Sequence, residues 1–327
     1  MTTVTTYRST DASAPVLNGL AGSLISVLDG CLVTGYGIQP AAGWTKPFTG
    51  TNLASYRQGT GSNQYYLKVR DDGPGAAGAR ETRVRGFEVM TAVTATDTAA
   101  DGTNPFPTVA QSSTAIYTRK SVNADNQARA WIVVADARTF YMFSLTGDVA
   151  LTYLWWGFGE YFSFMSSDPG RTMLFARSSE NSLVSVIEPD RTAGLNNSSP
   201  TAGLWYVNRD VTAVAGTPVV ALPIGRSGDS TNASSTVIPF SGNINYSNSA
   251  DHKSYVAPIR IGNTSPSINF RGRVRGVWHW QHAIANVGDG ETFTGTGDLA
   301  GKTFLVIKQS YNSGVFIVET SSTWDTN

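Results

Sequence analysis

Apolar positions along the chain follow a helical period only near the N-terminus. Val16, Leu17, Leu20, Leu24, Ile25, Leu28, Cys31 and Leu32 recur at steps of three and four, which builds one apolar stripe. Ser13 is placed to cap the start, Pro15 suits the first turn, and Gly35 and Gly37 can end the element. These signals predict a helix over 14–33. Cys31 falls on the stripe and reads as a small buried hydrophobe rather than a reactive thiol.

Beyond that point the pattern is that of strands. Short runs rich in β-branched and aromatic residues, bounded by Gly, Asp and Pro, predict strands over 64–70, 82–90, 115–119, 129–135, 139–145, 161–165 and 171–176. Further strands are expected over 183–187, 204–208, 219–224, 254–261, 273–280, 303–309 and 314–320. Strands do not alternate with long helices, so a doubly wound α/β fold is not expected. The fold class is mainly β: antiparallel β-sandwich or barrel-like units with one N-terminal amphipathic α-helix. Residues 1–75 form the helix and first strands, packed on a β-rich body over 76–327, and the two can equally form one continuous domain. Stretches 97–113, 190–202 and 225–253 are rich in Ser, Thr, Asn, Gly and Pro and read as long loops.

Composition narrows the function classes. Charged residues are 15% of the chain, well under the usual share, and Lys plus Arg (24) balances Asp plus Glu (24). A formal charge of zero argues against a dedicated nucleic-acid binder and does little to hold copies apart. One cysteine allows no intrachain disulfide. No stretch is apolar enough for a membrane span, and the first residues lack the features of a signal peptide, so synthesis in a cytoplasm is expected.

Candidate chemistry is sparse. The histidines are His252, His279 and His282; the close pair lacks the partners that zinc needs, so structural roles are expected. Residues 295–303 superficially resemble a phosphate loop, but Thr296 stands where the motif needs glycine and a strand follows where it needs a helix. No nucleophile elbow is present, and neighbouring carboxylates such as Asp71 with Asp72, or Glu188 with Asp190, sit beside turn residues. The expectation is a non-enzyme without cofactors or metals.

Surface candidates come from two patterns. Arg271, Arg273 and Arg275 alternate, so their side chains share one strand face, and Arg83 with Arg85 repeats this on another strand. Such rows can meet acidic groups of a neighbour or form a solvated face, and interface use is the favoured reading. Trp155 and Trp156 lead an aromatic run reaching Phe164, which can anchor a partner, stack on sugars or pack a core. Trp278 and Trp280 are expected to share a core face with Val274.

Three blocks carry a resemblance. They are LAGSLISVLDGCLVTGYG at 20–37 with AGWTKPF at 42–48; NQYYLKVRDDG at 63–73 with RVRGFE at 83–88; and FRGRVRGVWHW at 270–280 with FIVETSSTW at 316–324. In these blocks the chain resembles tailed-bacteriophage virion structural proteins of the tail- or baseplate-associated class. The resemblance implies a subunit in a symmetric ring with other virion proteins, located in the particle, and it transfers no active-site residues. Receptor or host-glycan binding and head decoration stand as alternatives.

Overall fold

A computed structural model describes residues 3–73, 75, 77–147, 153–176, 204–224, 256–263, 269–280, 288–308, 315–321, 323 and 324. The chain is mainly β. Its first half contains β1 (Thr5–Arg8), β2 (Thr45–Gly50), β3 (Leu53–Arg57), β4 (Tyr66–Arg70), β5 (Glu81–Met90), β6 (Gly102–Phe106) and β7 (Ile116–Arg119). There follow β8 (Trp131–Ala135), β9 (Thr139–Leu145), β10 (Tyr153–Glu160), β11 (Phe162–Ser163), β12 (Thr172–Ala176), β13 (Leu204–Val207) and β14 (Val219–Ile224). The last are β15 (Val256–Asn263), β16 (Asn269–Trp280), β17 (Thr292–Thr294), β18 (Thr303–Lys308) and β19 (Val315–Glu319). The predicted strand at 183–187 and the loops at 190–202 and 225–253 lie outside the described residues.

All pairings are antiparallel. A smaller sheet runs β2-β3-β4-β5-β6, with β7 also on β5. A larger one runs β1-β8-β9-β10-β12-β13-β14-β15-β16-β19-β18-β17, with β11 on β16. Among the described residues the two ends of that path do not pair, so the barrel-like expectation gives way to open sheets. Hydrogen bonding between β4 and β5 crosses residue 75, and β1 pairs with β8.

The strands β8, β9, β10, β12 and β13 form a middle layer buried on both faces. Alternation sends Trp131, Val133, Phe140, Met142, Trp156, Phe158 and Leu174 into one core, shared with the smaller sheet and the helix. Their neighbours Ile132, Val134, Tyr141, Phe143, Trp155, Phe175 and Trp205 enter a second core, closed by Ile259, Ile261, Val274, Leu305, Ile307 and Val318. Burial on both faces explains why these strands read as unbroken apolar runs.

The helix is shorter than predicted. An α-helix, α1, covers Ser23–Leu28 and continues as a π-helical turn over Asp29–Thr34, with Gly35 ending it at φ 74°. The first half of the predicted stripe is pinned elsewhere. Leu17 bridges Arg129, the Gly19 N–H donates to the Asp125 carbonyl (2.8 Å), and the Gly22 N–H donates to the Asp71 carbonyl (3.0 Å). A Cβ at Gly19 would lie 1.9 Å from the Asn123 carbonyl oxygen, so this close approach requires glycine. Val16 and Leu20 are consequently exposed, whereas Leu24, Val27, Leu28, Cys31 and Leu32 are buried. Ser13 is not the cap: the Leu24 N–H donates to Asp71 Oδ2 (2.9 Å), a carboxylate from beyond β4. Trp44 fills the space beside the helix, edge-on to Phe140 (5.6 Å) and Phe158 (5.9 Å).

The 97–113 stretch is not a plain loop. It carries a 3-10 turn (Ala99–Asp101) and β6, anchored by the buried Asp101, which pairs with Lys68.

Candidate binding cleft and the buried arginines

The arginine rows exist, but their face is covered. On β16, Arg275 donates to Asp136 Oδ2 (2.7 Å) and to Thr139 Oγ1 (3.0 Å), and lies 5.7 Å from the Trp324 ring. Arg271 reaches Asp168 (3.3 Å) and the Arg209 carbonyl, over Tyr161. Both are almost fully buried. Arg273 is half-buried, 4.9 Å from the Phe162 ring. On β5, Arg83 shares Asp97 with Arg70 and lies over Tyr117 (5.5 Å). Arg85 is buried and donates to the carbonyls of Pro107 (2.5 Å) and Ser112 (2.7 Å); burial lowers its pKa.

The interface reading therefore fails for Arg85, Arg271 and Arg275, which offer a neighbour no surface. It fails equally for Trp155 and Trp156. They point to opposite faces of β10, one into each core, with exposures of 0% and 1%. Trp278 and Val274 do not share a face either. Gly276 has φ +65° and shifts the alternation by one, so Val274 faces the second core while Trp278 packs with Val256, Phe293 and Phe304. The backbones of His279 and Trp280 lie in β16, while His252 and His282 lie outside the described residues.

The carboxylates are structural where they are described. Asp71 is fully buried, accepts from Leu24 N–H and Thr82 Oγ1 (2.7 Å), and pairs with Lys120. Asp72 pairs with Arg70 (3.0 Å). Glu188 and Asp190 lie outside the described residues. Among the described residues no group of three or more His, Cys, Asp and Glu could hold a metal ion. The phosphate-loop look-alike is a 3-10 turn (Gly297–Leu299) leading into β18, and Lys302 pairs with Glu319 (3.2 Å).

A cleft of about 390 Å³ opens where β10 leaves the middle layer. Its charged lining is Arg138, Arg171, Arg275 and Glu160; Tyr161, Phe162, Ser163 and Met165 complete it. Each group is set by a turn. Arg138 stands in the β8–β9 turn, whose N–H groups at Arg138 and Thr139 both donate to Asp136 Oδ1 (2.8 Å each). Glu160 ends β10, and its Oε1 accepts from the Asn63 N–H (2.6 Å) and pairs with Arg171 Nε (3.2 Å). Phe162 is held by pairing with Arg273 across β11 and β16. The Tyr161 hydroxyl is bonded to Asp168 and the Gly170 carbonyl, and burial pushes its pKa up. Among the described residues the cleft thus brings three guanidinium groups and one carboxylate beside an apolar wall.

Next to the cleft lies an exposed apolar edge. Phe164 (55% exposed) and Met165 (47%) follow β11, and the Phe164 N–H donates to the Arg271 carbonyl (2.8 Å), beside the exposed Phe270. Arg260 lies 5.6 Å from the Phe270 ring. The predicted aromatic run therefore has a surface end, and it is Phe164 rather than the tryptophans. Alternation could not reveal Arg138, Glu160 and Arg171, which are brought together by three separate turns. The chain matches no protein-family model and no curated protein.

Proposed function

We propose that the protein is a structural subunit of a tailed-bacteriophage virion, tail-, baseplate- or neck-associated, which acts by assembling in a symmetric ring with other virion proteins. The observation that carries this reading is the edge formed by Phe164, Met165, Phe270 and Arg260. Exposed aromatic, Met and Arg side chains on a rigid scaffold are the composition of interface centres. The sequence resemblance supports the same reading. The β-sandwich description of the layered sheets belongs with it, as the scaffold that presents this edge.

Cryo-electron microscopy of intact particles of the source phage tests it. Density for the chain in a tail ring or collar, with Phe164 against a neighbour, supports the reading. A position on the head instead assigns decoration, and absence from particles overturns the proposal. In solution, Phe164→Asp with Phe270→Asp should dissociate the oligomer while the far-UV circular dichroism of the folded chain stays unchanged; a wild-type chain that is strictly monomeric counts against a ring.

The cleft favours a second reading, in which the subunit also binds a host surface glycan. Density at an outer tip with the cleft facing outward would make that its main role.

A further inference from the structure

The second reading can be deepened from the chemistry of the cleft. We infer that the cleft takes a carboxylate-bearing sugar unit, its acid group on Arg171 and its ring against Phe162 and Met165. This rests on the glycan-binding reading, not on the subunit's place in a particle, since every lining residue belongs to one chain.

Three observations carry it. The volume, about 390 Å³, lies in the range of small-molecule sites. The lining sets Arg138, Arg171 and Arg275 against Glu160. Asp136 holds Arg275 from behind. A guanidinium is the group suited to planar, bidentate recognition of a carboxylate. Arg171 is accessible, with its side chain 30% exposed.

The Glu160 contacts complete the argument. Asn63 and Arg171 both hold Oε1, so Oε2 has no partner among the described residues and can accept from a sugar hydroxyl. Phe162 already carries Arg273 at 4.9 Å, which fixes the ring in place, and the exposed Met165 extends the apolar wall. An acceptor, a guanidinium and an apolar wall within one cleft suit a hydroxylated ring that bears an acid. A simple anion would use the guanidinium alone, and an acidic peptide side chain would leave the wall unused.

The test is titration of the full chain with trigalacturonate, its methyl ester and triglutamate, followed by amide NMR shifts. Trigalacturonate should shift the amides around Phe162, Met165 and Arg171, and esterification should weaken it at least about tenfold, the loss of one charged bidentate contact. Arg171→Gln should do the same. Met165→Ala, a fully tolerable surface change, should weaken binding a few-fold, so a misfolded arginine variant would not decide the matter. Equal binding of the ester, or equal binding of triglutamate, overturns the sugar-acid assignment. No shift at these amides overturns the site, while the assembly reading, scored by oligomer size and particle images, stays untouched.

Discussion

Asp71→Ala should be among the most damaging single substitutions in the chain. The Asp71 carboxylate accepts from the Leu24 N–H at the start of α1 and from the Thr82 hydroxyl on β5, and it neutralises Lys120 beyond β7. Both charged side chains are essentially excluded from water. Burial is the larger effect on each, pushing Asp71 up and Lys120 down, against their mutual attraction. A pair so placed adds little net stability, but removing one partner strands the other, at about 3–5 kcal/mol. The orphaned Leu24 N–H and Thr82 hydroxyl add about 1–3 kcal/mol between them after relaxation. The sum, roughly 4–8 kcal/mol, approaches the whole stability of many domains. Asp71→Asn keeps one acceptor oxygen for the Leu24 N–H, turns an amide NH2 toward the Thr82 hydroxyl, which can rotate to accept from it, and isolates the Lys120 charge, so it should cost about 3–5 kcal/mol. The double change Asp71→Asn with Lys120→Met should recover at least about 2 kcal/mol of that. Urea unfolding curves for the four chains give the cycle, provided the m-values agree. If Asp71 serves only as a helix cap, each single change costs about 1 kcal/mol and the double change is additive; that result would refute the reasoning.

Three further outcomes follow from single residues. Gly276→Ala should cost about 2–4 kcal/mol, because φ is +65° and the new Cβ would lie 2.2 Å from Trp324 Nε1; melts followed by tryptophan fluorescence read both the loss and the displaced ring. Cys31 should resist thiol reagents in the native chain and react fully in denaturant, since it is buried and its thiol pKa is well raised; rapid native labelling contradicts the core placement. Burial raises the Glu319 carboxyl, with Lys302 opposing, so the native state binds this proton more tightly than the unfolded chain. Its contribution is then full below the ordinary value of 4.5 and is lost as pH rises through the folded value, so Glu319→Gln should gain on wild type from acid to neutral pH. Urea midpoints of both chains across that range, with a pH-independent difference, would sink the assignment.

What could be read in advance depended on how each strand is buried. The runs at β9 and β14 were legible to the residue, because both are apolar stretches bounded by turn residues, and in β9 the run reflects burial on both faces. The edge strands β2 and β17 were not, since their exposed Thr, Lys and Gly positions look like loop. The middle-layer strand β10 escaped for a different reason. Gly157 and Gly159 resemble turn residues, yet added Cβ atoms would lie 2.8 Å from the Phe140 carbonyl oxygen and 2.4 Å from Thr139 Cα, so they are close-approach sites inside a strand. Of the site, the arginine alternation was legible and its covering was not. Period two shows which side chains share a face; only the long-range placement of Asp136 and Asp168 shows that the face is inside.

That inward placement bears on how the surface can act. Charged residues are seldom buried unless paired, and this chain, with few charges, commits Lys68, Asp71, Lys120, Asp136, Asp168, Arg271 and Arg275 to its interior. Buried pairs contribute little net stability but penalise any packing that separates them. The surface then keeps little charge with which to steer partners. Association through Phe164, Met165 and Phe270 should therefore respond weakly to ionic strength, as apolar contacts do. Binding of an acidic ligand at Arg171, a partly exposed charge, should weaken as salt is raised. The two neighbouring surfaces are thus separable by one variable: salt that abolishes ligand binding while leaving the oligomer intact assigns each function to its own residues, and salt that dissolves both places the assembly contact on the guanidinium groups instead of the aromatic edge.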